Sequence, residues 1–169
     1  MDQHGAEKIP FRIKVLRAAN PMMMWLLGSP LHRLMSRDLL VMRFRGRKSG
    51  RQFSTPLSYV EVGGRLYLVT RRTVANWWRN MLGGAAVEVV WRGQKVSAQA
   101  TVLESSGDEA EIGFRRFLSQ NPGTASLLYQ VDVGREGQLV DEDVRREIKD
   151  SIIVRVELEG SSPPIASSP

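Results

Sequence analysis

Residues 39–71 read LLVMRFRGRKSGRQFSTPLSYVEVGGRLYLVTR, and this stretch decides the fold. Its first seven residues alternate apolar side chains with more polar ones, which is the period of a β-strand with one face toward solvent. A glycine-flanked turn follows, and a second strand covers about residues 52–62. Gly63-Gly64 is a two-residue hairpin signal that leads into a third strand. The stretch therefore predicts three consecutive antiparallel strands.

Three more strands are predicted further along the chain. AAVEVVWR and KVSAQATVLE form a hairpin across Gly93, and SIIVRVEL is a last strand that must pair at long range. Short helices are predicted at Ala75–Leu82, from Gly107 to about Gln120, at Leu127–Val133 (helix or turn) and at Asp141–Lys149. About six mostly antiparallel strands with peripheral helices make an α+β, barrel-like domain. A doubly wound fold would need a helix after nearly every strand, so it is disfavoured.

The composition excludes several classes of active site. A chain of 169 residues fits one domain with a sizeable core. It has no cysteine, so disulfides, thiolate nucleophiles and cysteine-ligated metals are excluded. Its two histidines, His4 and His32, exclude a multi-histidine metal site, and no GxSxG, Walker or GxGxxG motif is present.

The positive charge is concentrated in the strand region. From Arg33 to Lys95 there are 13 Lys and Arg against three acids, whereas from Glu104 onward 13 acids face 7 bases. A uniformly basic surface would indicate general attraction to nucleic acid or anionic membrane. The uneven distribution instead favours a localised anion-binding site.

The two ends are predicted to lie outside the barrel. We expect residues 1–28 to form an N-terminal lead and helix, residues 29–159 the barrel domain, and residues 160–169 a disordered tail. The start lacks the pattern of a signal peptide, and no apolar run is long enough to span a bilayer, so we expect a cytoplasmic protein. Met22–Leu27 (MMMWLL) is strongly apolar. This segment could pack on the barrel as core or lid, or contact a membrane surface peripherally.

The turn Gly46-Arg47-Lys48-Ser49-Gly50 is the sharpest local signal of a binding site. The flanking glycines permit positive φ and let backbone N–H groups converge on an anion. Arginine adds a planar fork for phosphate or carboxylate, and lysine adds a point charge. The alternative is a solvated hairpin tip, because basic turns are common at strand ends.

A second signal runs from Thr70 to Asn80, where a strand ends in two arginines and enters a helix with two adjacent tryptophans. A helix N-terminus beside arginines is a ready anion site. At most one of Trp77 and Trp78 can point inward, so the other is either a partly exposed cap or lies over a ligand. Basic turns with aromatics also fit single-stranded nucleic acid, but these aromatics do not recur along a strand face.

Taken together, GRKSGR, STPLSYV, LYLVT and WWRN resemble the deazaflavin-dependent nitroreductase group. That group belongs to the flavin and deazaflavin oxidoreductase superfamily, which has a split β-barrel, FMN-binding-like fold. The resemblance runs from about Ser29 to Leu103 and includes the closing strand Ile152–Leu158. This sequence differs from the family's usual pattern in two respects. The loop at Thr73–Asn76 is shorter, and Trp78 stands where the family usually has tyrosine.

The resemblance implies a set of site residues. The basic turn would hold the coenzyme phosphate, the strand after it would lie beside the deazaflavin ring, and the tryptophan helix would close the pocket. In that order these residues are Arg47, Lys48, Ser49 and Gly50; Thr55, Pro56 and Leu57; and Thr70, Arg71, Arg72, Trp77 and Asn80. Tyr129 is the match for a tyrosine at the substrate, as orienting group or proton donor, although a tyrosine after two leucines also fits a core position.

The resemblance also implies the chemistry. The cofactor would be coenzyme F-420, an 8-hydroxy-5-deazaflavin, with FMN the less favoured ligand, and no metal is expected. The enzyme would transfer a hydride from the reduced coenzyme to a small electron-poor acceptor such as a quinone or nitro compound. A non-catalytic lipid or fatty-acid binding protein of the same superfamily is the alternative. Methionine and tryptophan would then line an apolar slot, and a cation would pair with the carboxylate.

Overall fold

The computed structural model describes residues 38–134 and 137–160 of the chain. Within these ranges six strands form a closed barrel in the order β1-β2-β3-β6-β5-β4, and β4 pairs with β1 to close it. The strands are β1 Leu39–Arg45, β2 Gln52–Val62, β3 Arg65–Arg71, β4 Ala85–Trp91, β5 Gln94–Val102 and β6 Ser151–Leu158. Every pairing is antiparallel. The α+β barrel prediction is confirmed.

Short turns and one long-range insertion explain the topology. The β2–β3 hairpin turns at Gly63-Gly64, where φ is +58° and +76°, the conformation that suits a two-residue loop between twisted strands. The last strand, β6, lies between β3 and β5 and pairs with both. Strand β6 therefore links the consecutive strands β1–β2–β3 to the β4–β5 hairpin, as its predicted long-range pairing requires.

Two ladders of the closed barrel are short, namely β1–β4 over Val41–Arg43 and β2–β3. The β2–β3 ladder covers only Tyr59–Val62 against Arg65–Leu68. The first half of β2, from Gln52 to Ser58, pairs with β1 alone. Pro56 lies in this half, which agrees with the confinement of proline to strands that have an unpaired edge.

Three α-helices cover one side of the barrel, and a short 3-10 helix lies at one end. They are α1 Asp108–Gln120, α2 Pro122–Tyr129, α3 Asp141–Glu147 and the tryptophan helix Trp77–Met81. Asn121-Pro122 ends α1 as predicted, but α2 begins at once and ends at Tyr129 instead of covering Leu127–Val133. Proline fits the first turn of a helix, where its missing N–H has no partner to lose, and Gln130 in the left-handed conformation ends α2.

Two hydrophobic clusters form the core. One fills the barrel with alternate side chains such as Leu40, Met42 and Leu68. The other lies between the barrel and the helices and includes Tyr67 and Phe114. Gly113 of α1 allows close approach there, because a Cβ at this position would lie 2.6 Å from the ring of Tyr67.

Several predictions fall outside the described residues. They are the lead and helix expected at residues 1–28, the first residues of the expected barrel domain at 29–37, and residues 161–169 of the tail. Within 38–134 and 137–160, no helix is long and apolar enough to cross a membrane. The same ranges contain no cluster of His, Asp and Glu that could hold a metal ion.

Candidate functional site

The GRKSG turn is a tight loop closed by its own backbone. Gly50 N–H donates to the Gly46 carbonyl (2.8 Å), and Gly46 N–H donates to the Arg51 carbonyl (2.9 Å). Gly50 has φ +65°, a conformation that L side chains rarely adopt. At Gly46 a Cβ would lie 2.7 Å from the Phe53 ring and 2.8 Å from the Ser49 hydroxyl. A side chain at Gly50 would therefore strain the backbone, and one at Gly46 would require Phe53 and Ser49 to move.

Two hydrogen bonds attach this turn to the tryptophan helix and to the residue that follows it. Arg47 N–H donates to Asn80 Oδ1 (3.0 Å), and Arg47 Nη1 donates to the Leu82 carbonyl (2.7 Å). Asn80 Nδ2 in turn donates to the Trp77 carbonyl (2.9 Å). Residues more than 30 positions apart in the chain are thereby held side by side.

The two tryptophans have different environments. Trp78 is buried, with 5% of its surface exposed, and its Nε1–H donates to the Ala75 carbonyl (2.8 Å). The guanidinium groups of Arg72 and Arg79 lie 5.6 and 5.5 Å from the centre of its ring, within the range of cation–π attraction. Trp77 is only partly buried. The prediction that at most one tryptophan points inward is confirmed, and the buried one is Trp78.

A cleft of about 920 Å³ lies between the turn and the tryptophan helix. Six of the predicted site residues line it, namely Arg47, Lys48, Ser49, Thr55, Trp77 and Asn80. The other lining residues are Phe44, Gly46, Phe53, Ser54, Asn76, Trp78, Arg79 and Leu82. The two strongest sequence signals thus meet at one site.

A side cavity of about 860 Å³ adjoins the cleft. The two share a wall formed by Phe44, Arg47, Phe53, Ser54, Asn80 and Leu82. The side cavity extends from this wall along β4, past Ala85 and Val87. The cleft is therefore open on the side of β4.

Two cations, Lys48 within the turn and Arg51 just beyond it, are available to an anion. Lys48 and Arg51 are exposed, and neither makes an ion pair within the described parts of the chain. The N–H groups of Lys48 and Ser49 likewise have no acceptor among the described residues. Two free N–H groups beside an unpaired ammonium match the requirements of a phosphate.

The remaining predicted coenzyme residues do not line the cleft. Gly50 closes the turn, Pro56 and Thr70 are paired in β2 and β3, and Leu57 packs against the core inside the barrel. Arg72 lies over Trp78, as described above. Arg71 points to the helix side, where it donates to Glu147 Oε2 (2.9 Å) and to the Leu128 carbonyl.

Tyr129 also lies away from the cleft. It is 2% exposed and packs edge-on against Phe114 and Phe117, with ring centres 5.6 and 6.2 Å apart. The Arg71 guanidinium lies 5.7 Å from its ring centre. Burial raises the pKa of its phenol well above the usual value, so the group stays protonated. This environment is that of a core tyrosine.

Sequence reasoning missed several residues of the cleft, of which Phe53 is the most prominent. It is 46% exposed and stacks on Phe44, with ring centres 5.7 Å apart and an angle of 23° between the rings. The buried hydroxyl of Ser54 has no hydrogen-bond partner among the described residues. Strand alternation could have identified Phe53, because it lies on the same face of β2 as Thr55.

Comparison with known proteins agrees with this geometry. Residues 15–140, more than half of the chain, match the F420H(2)-dependent quinone reductase family. The solved structure of an F420-H2 dependent reductase (FDR-A) superposes with a TM-score of 0.51 at 21% identity, covering 72% of this chain and 95% of that one. A protein solved as a domain-swapped dimer gives a TM-score of 0.50 at 18% identity, covering 80% and 99%.

Identities this low show a shared fold. Among curated proteins none matches the chain. The family match covers both the GRKSG turn and the tryptophan helix. This chain therefore belongs to the F420H(2)-dependent quinone reductase family and is a deazaflavin-dependent oxidoreductase whose cofactor is coenzyme F-420.

Proposed function

We propose that the cleft between the GRKSG turn and the tryptophan helix holds the phosphate end of coenzyme F-420. The enzyme then reduces a small electron-poor acceptor, a quinone or a nitro compound. The observation that carries this proposal is that Lys48 and Ser49 line the cleft, while the Lys48 ammonium and the N–H groups of both residues have no partner among the described residues. Such a combination binds a phosphate and has no evident structural use.

The residues present fit the coenzyme at both ends. A phosphate needs converging donors and positive charge, which the turn supplies. A planar ring needs apolar surfaces, and the cleft offers Phe53, Trp77 and Leu82. Phe53 and Leu82 are exposed despite being large and apolar, at 46% and 43%. A bound ring would remove them from water, which is favourable in proportion to the area buried.

When bound, the reduced coenzyme supplies a hydride from its ring carbon. The protein binds the coenzyme, orients it toward the acceptor and excludes water from the site. Lys48 and the turn N–H groups fix the phosphate, and Thr55 and Trp77 line the space where ring and acceptor must meet. Because the coenzyme and the acceptor are held in contact, they need not meet by diffusion, which lowers the entropic part of the activation barrier.

The proton that follows the hydride comes from solvent or from a hydroxyl in the cleft. Among its described lining residues there is no carboxylate, histidine or tyrosine. Ser49 and Thr55 are the hydroxyls that can relay a proton from water. In our proposal Tyr129 is a packing residue, since its buried phenol lies among Phe114 and Phe117.

Titration of the purified protein with coenzyme F-420 and, separately, with FMN tests the proposal. We expect the deazaflavin fluorescence to be quenched at lower protein concentration than that of FMN, and a quinone or nitroaromatic to oxidise the reduced coenzyme only when protein is present. An acyl lipid recovered by mass spectrometry, with no binding of either coenzyme, would instead support the lipid-carrier alternative.

Contact with a membrane surface is a separate prediction, because it rests on residues 1–28. We propose a cytoplasmic enzyme that uses the apolar Met22–Leu27 segment either on the barrel or on a bilayer. Sedimentation of the full chain with liposomes, compared with a Trp25→Ser variant, tests this. Equal pelleting of both would count against an anchor in that segment.

A further inference from the structure

Arg47 is already committed to protein contacts, although it lies in the turn that we assign to phosphate. Its backbone N–H donates to Asn80 Oδ1 and its Nη1 donates to the Leu82 carbonyl. Each contact joins residues more than 30 positions apart. Arg47 therefore holds the turn against the other wall of the cleft, while the Lys48 ammonium and the N–H groups of Lys48 and Ser49 have no partner in the described parts of the chain.

Asn80 is suited to this connection because its amide has an acceptor and a donor at a fixed separation. The acceptor Oδ1 takes the N–H of Arg47, and the donor Nδ2 is held by the Trp77 carbonyl one turn earlier in the same helix. The hydrogen bond to the Trp77 carbonyl fixes the Asn80 rotamer in which Oδ1 can accept from the N–H of Arg47. Alanine would lose both contacts, and aspartate would lose the donor and add a negative charge beside the anion site.

We propose that Asn80 is a positioning residue that holds the GRKSG turn in the conformation that receives the phosphate, and that it does not itself contact the coenzyme. This inference rests on the proposed function. A turn at the tip of a hairpin loses conformational freedom when it wraps an anion, and a turn held in advance loses less. The hydrogen bond across the cleft mouth supplies that organisation before the coenzyme arrives.

The test separates positioning from contact by using two probes. Coenzyme F-420 bears the phosphate, and 8-hydroxy-5-deazariboflavin has the same ring without it. We expect Asn80→Ala to weaken binding of coenzyme F-420 about fivefold to tenfold, the equivalent of one hydrogen bond. Binding of the phosphate-free probe should change by less than about twofold.

A double-mutant cycle with Lys48→Ala provides the second measurement. If Asn80 acts by presenting the phosphate site, the Asn80→Ala change should have little further effect once Lys48 is removed, because the two are coupled. Gln99→Ala is the control, since it removes an exposed amide on β5 outside the cleft. Thermal unfolding of each variant reports whether it is folded, and Asn80→Ser repeats the measurement if alanine is not tolerated.

The outcomes are distinguishable. Equal weakening of both probes by Asn80→Ala would mean direct contact with the ring, and no weakening of either would mean no role in binding; both overturn the inference. Additive effects of the two substitutions would overturn the coupling on which it depends. If Lys48→Ala alone leaves coenzyme affinity unchanged, the proposed phosphate site itself is wrong.

Discussion

Five arginines on the helix-covered side of the barrel contact carboxylates, whereas Arg45, Lys48 and Arg51, in and beside the GRKSG turn, contact none among the described residues. The paired arginines are Arg65, Arg71, Arg115, Arg146 and Arg155, and their partners come from α1, α3 and β6. Charges that are matched within the fold stabilise it, and charges left unmatched are available to a ligand. The separation is not complete, because Arg116 and Arg145 on the helix side contact no carboxylate among the described residues, and Arg43 beside the side cavity pairs with Glu88. Ion pairing is therefore concentrated on the helix side.

The paired arginines are not equivalent. In most of their ion pairs both side chains are partly exposed to solvent, and such pairs contribute little. Arg71–Glu147 is different, because the two side chains are 24% and 9% exposed. Arg71 also donates to the Leu128 carbonyl, so this pair joins β3 to α2 and α3. It is the electrostatic contact whose loss should cost most.

Removing Glu147 should give the largest effect on stability. We expect Glu147→Ala to lower the free energy of unfolding by about 3 kcal/mol, since it leaves Arg71 partly buried without its partner. Urea denaturation measures the change. Glu142→Ala on the same helix is the control, as its exposed side chain makes no ion pair within the described residues. A loss of similar size in both variants would mean that helix content, not the ion pair, is responsible.

Removing Lys48 should weaken coenzyme binding and leave the stability of the fold nearly unchanged. We expect Lys48→Ala to weaken binding of coenzyme F-420 roughly tenfold to 100-fold, as loss of a charge-assisted hydrogen bond does. The free energy of unfolding should stay within about 0.5 kcal/mol. Fluorescence titration gives the affinity, and Lys149→Ala, an exposed lysine on the helix side, is the control. A matching loss of affinity in the control would show that overall charge, not the turn, attracts the coenzyme.

Gly113 tests the packing of the helix side without changing charge. Because its Cβ would lie 2.6 Å from the buried Tyr67 ring, we expect Gly113→Ala to destabilise the fold by about 1–2 kcal/mol despite the better helix propensity of alanine. Gly123→Ala in α2 is the control, with no atom within 4 Å of the added Cβ. Thermal unfolding should show a clear decrease for the first variant only, and coenzyme affinity should be unchanged in both.

Tyr129→Phe should have the smallest effect at neutral pH. Activity should stay within about twofold of wild type, since the phenol lies away from the cleft; a large loss would restore the catalytic assignment. The raised pKa of Tyr129 favours its neutral form in the folded state. Its contribution to stability is therefore complete below the unfolded value of about 10 and is lost as pH rises above it.

The phenylalanine variant removes that alkaline sensitivity. Denaturation midpoints measured from pH 8 to pH 11 should fall more steeply for wild type than for Tyr129→Phe. Tyr67, whose pKa is also raised, mainly by burial and then by Glu109, contributes to the decline in both proteins. Parallel curves for the two proteins would contradict the burial argument.

Local patterns in the sequence were sufficient for the strands and turns. Alternation in β1, the Gly63-Gly64 hairpin and the glycine-flanked GRKSG turn all depend on neighbouring residues, and each is found where it was predicted. The family resemblance, in contrast, was needed to predict that the basic turn and the tryptophan segment share one coenzyme site, and both line the same cleft. The strand and turn signals are local because strand periodicity and turn geometry depend on nearest neighbours in the chain.

Only the tertiary structure decided which of those residues meet. Arg71 and Arg72 are adjacent in sequence, yet one turns to Glu147 and the other to Trp78. Tyr129 could have faced a substrate or the core, and packing of α2 against α1 places it in the core. These side-chain positions depend on the pairing of β6 with β3 and β5 and on the short β2–β3 ladder. Contacts between residues so far apart in the chain cannot be read from local patterns. The sequence by itself determined the strands, the hairpins and the glycine-flanked turn, because these depend on neighbouring residues, whereas long-range pairing such as that of β4 with β1 brought the turn beside the tryptophan helix.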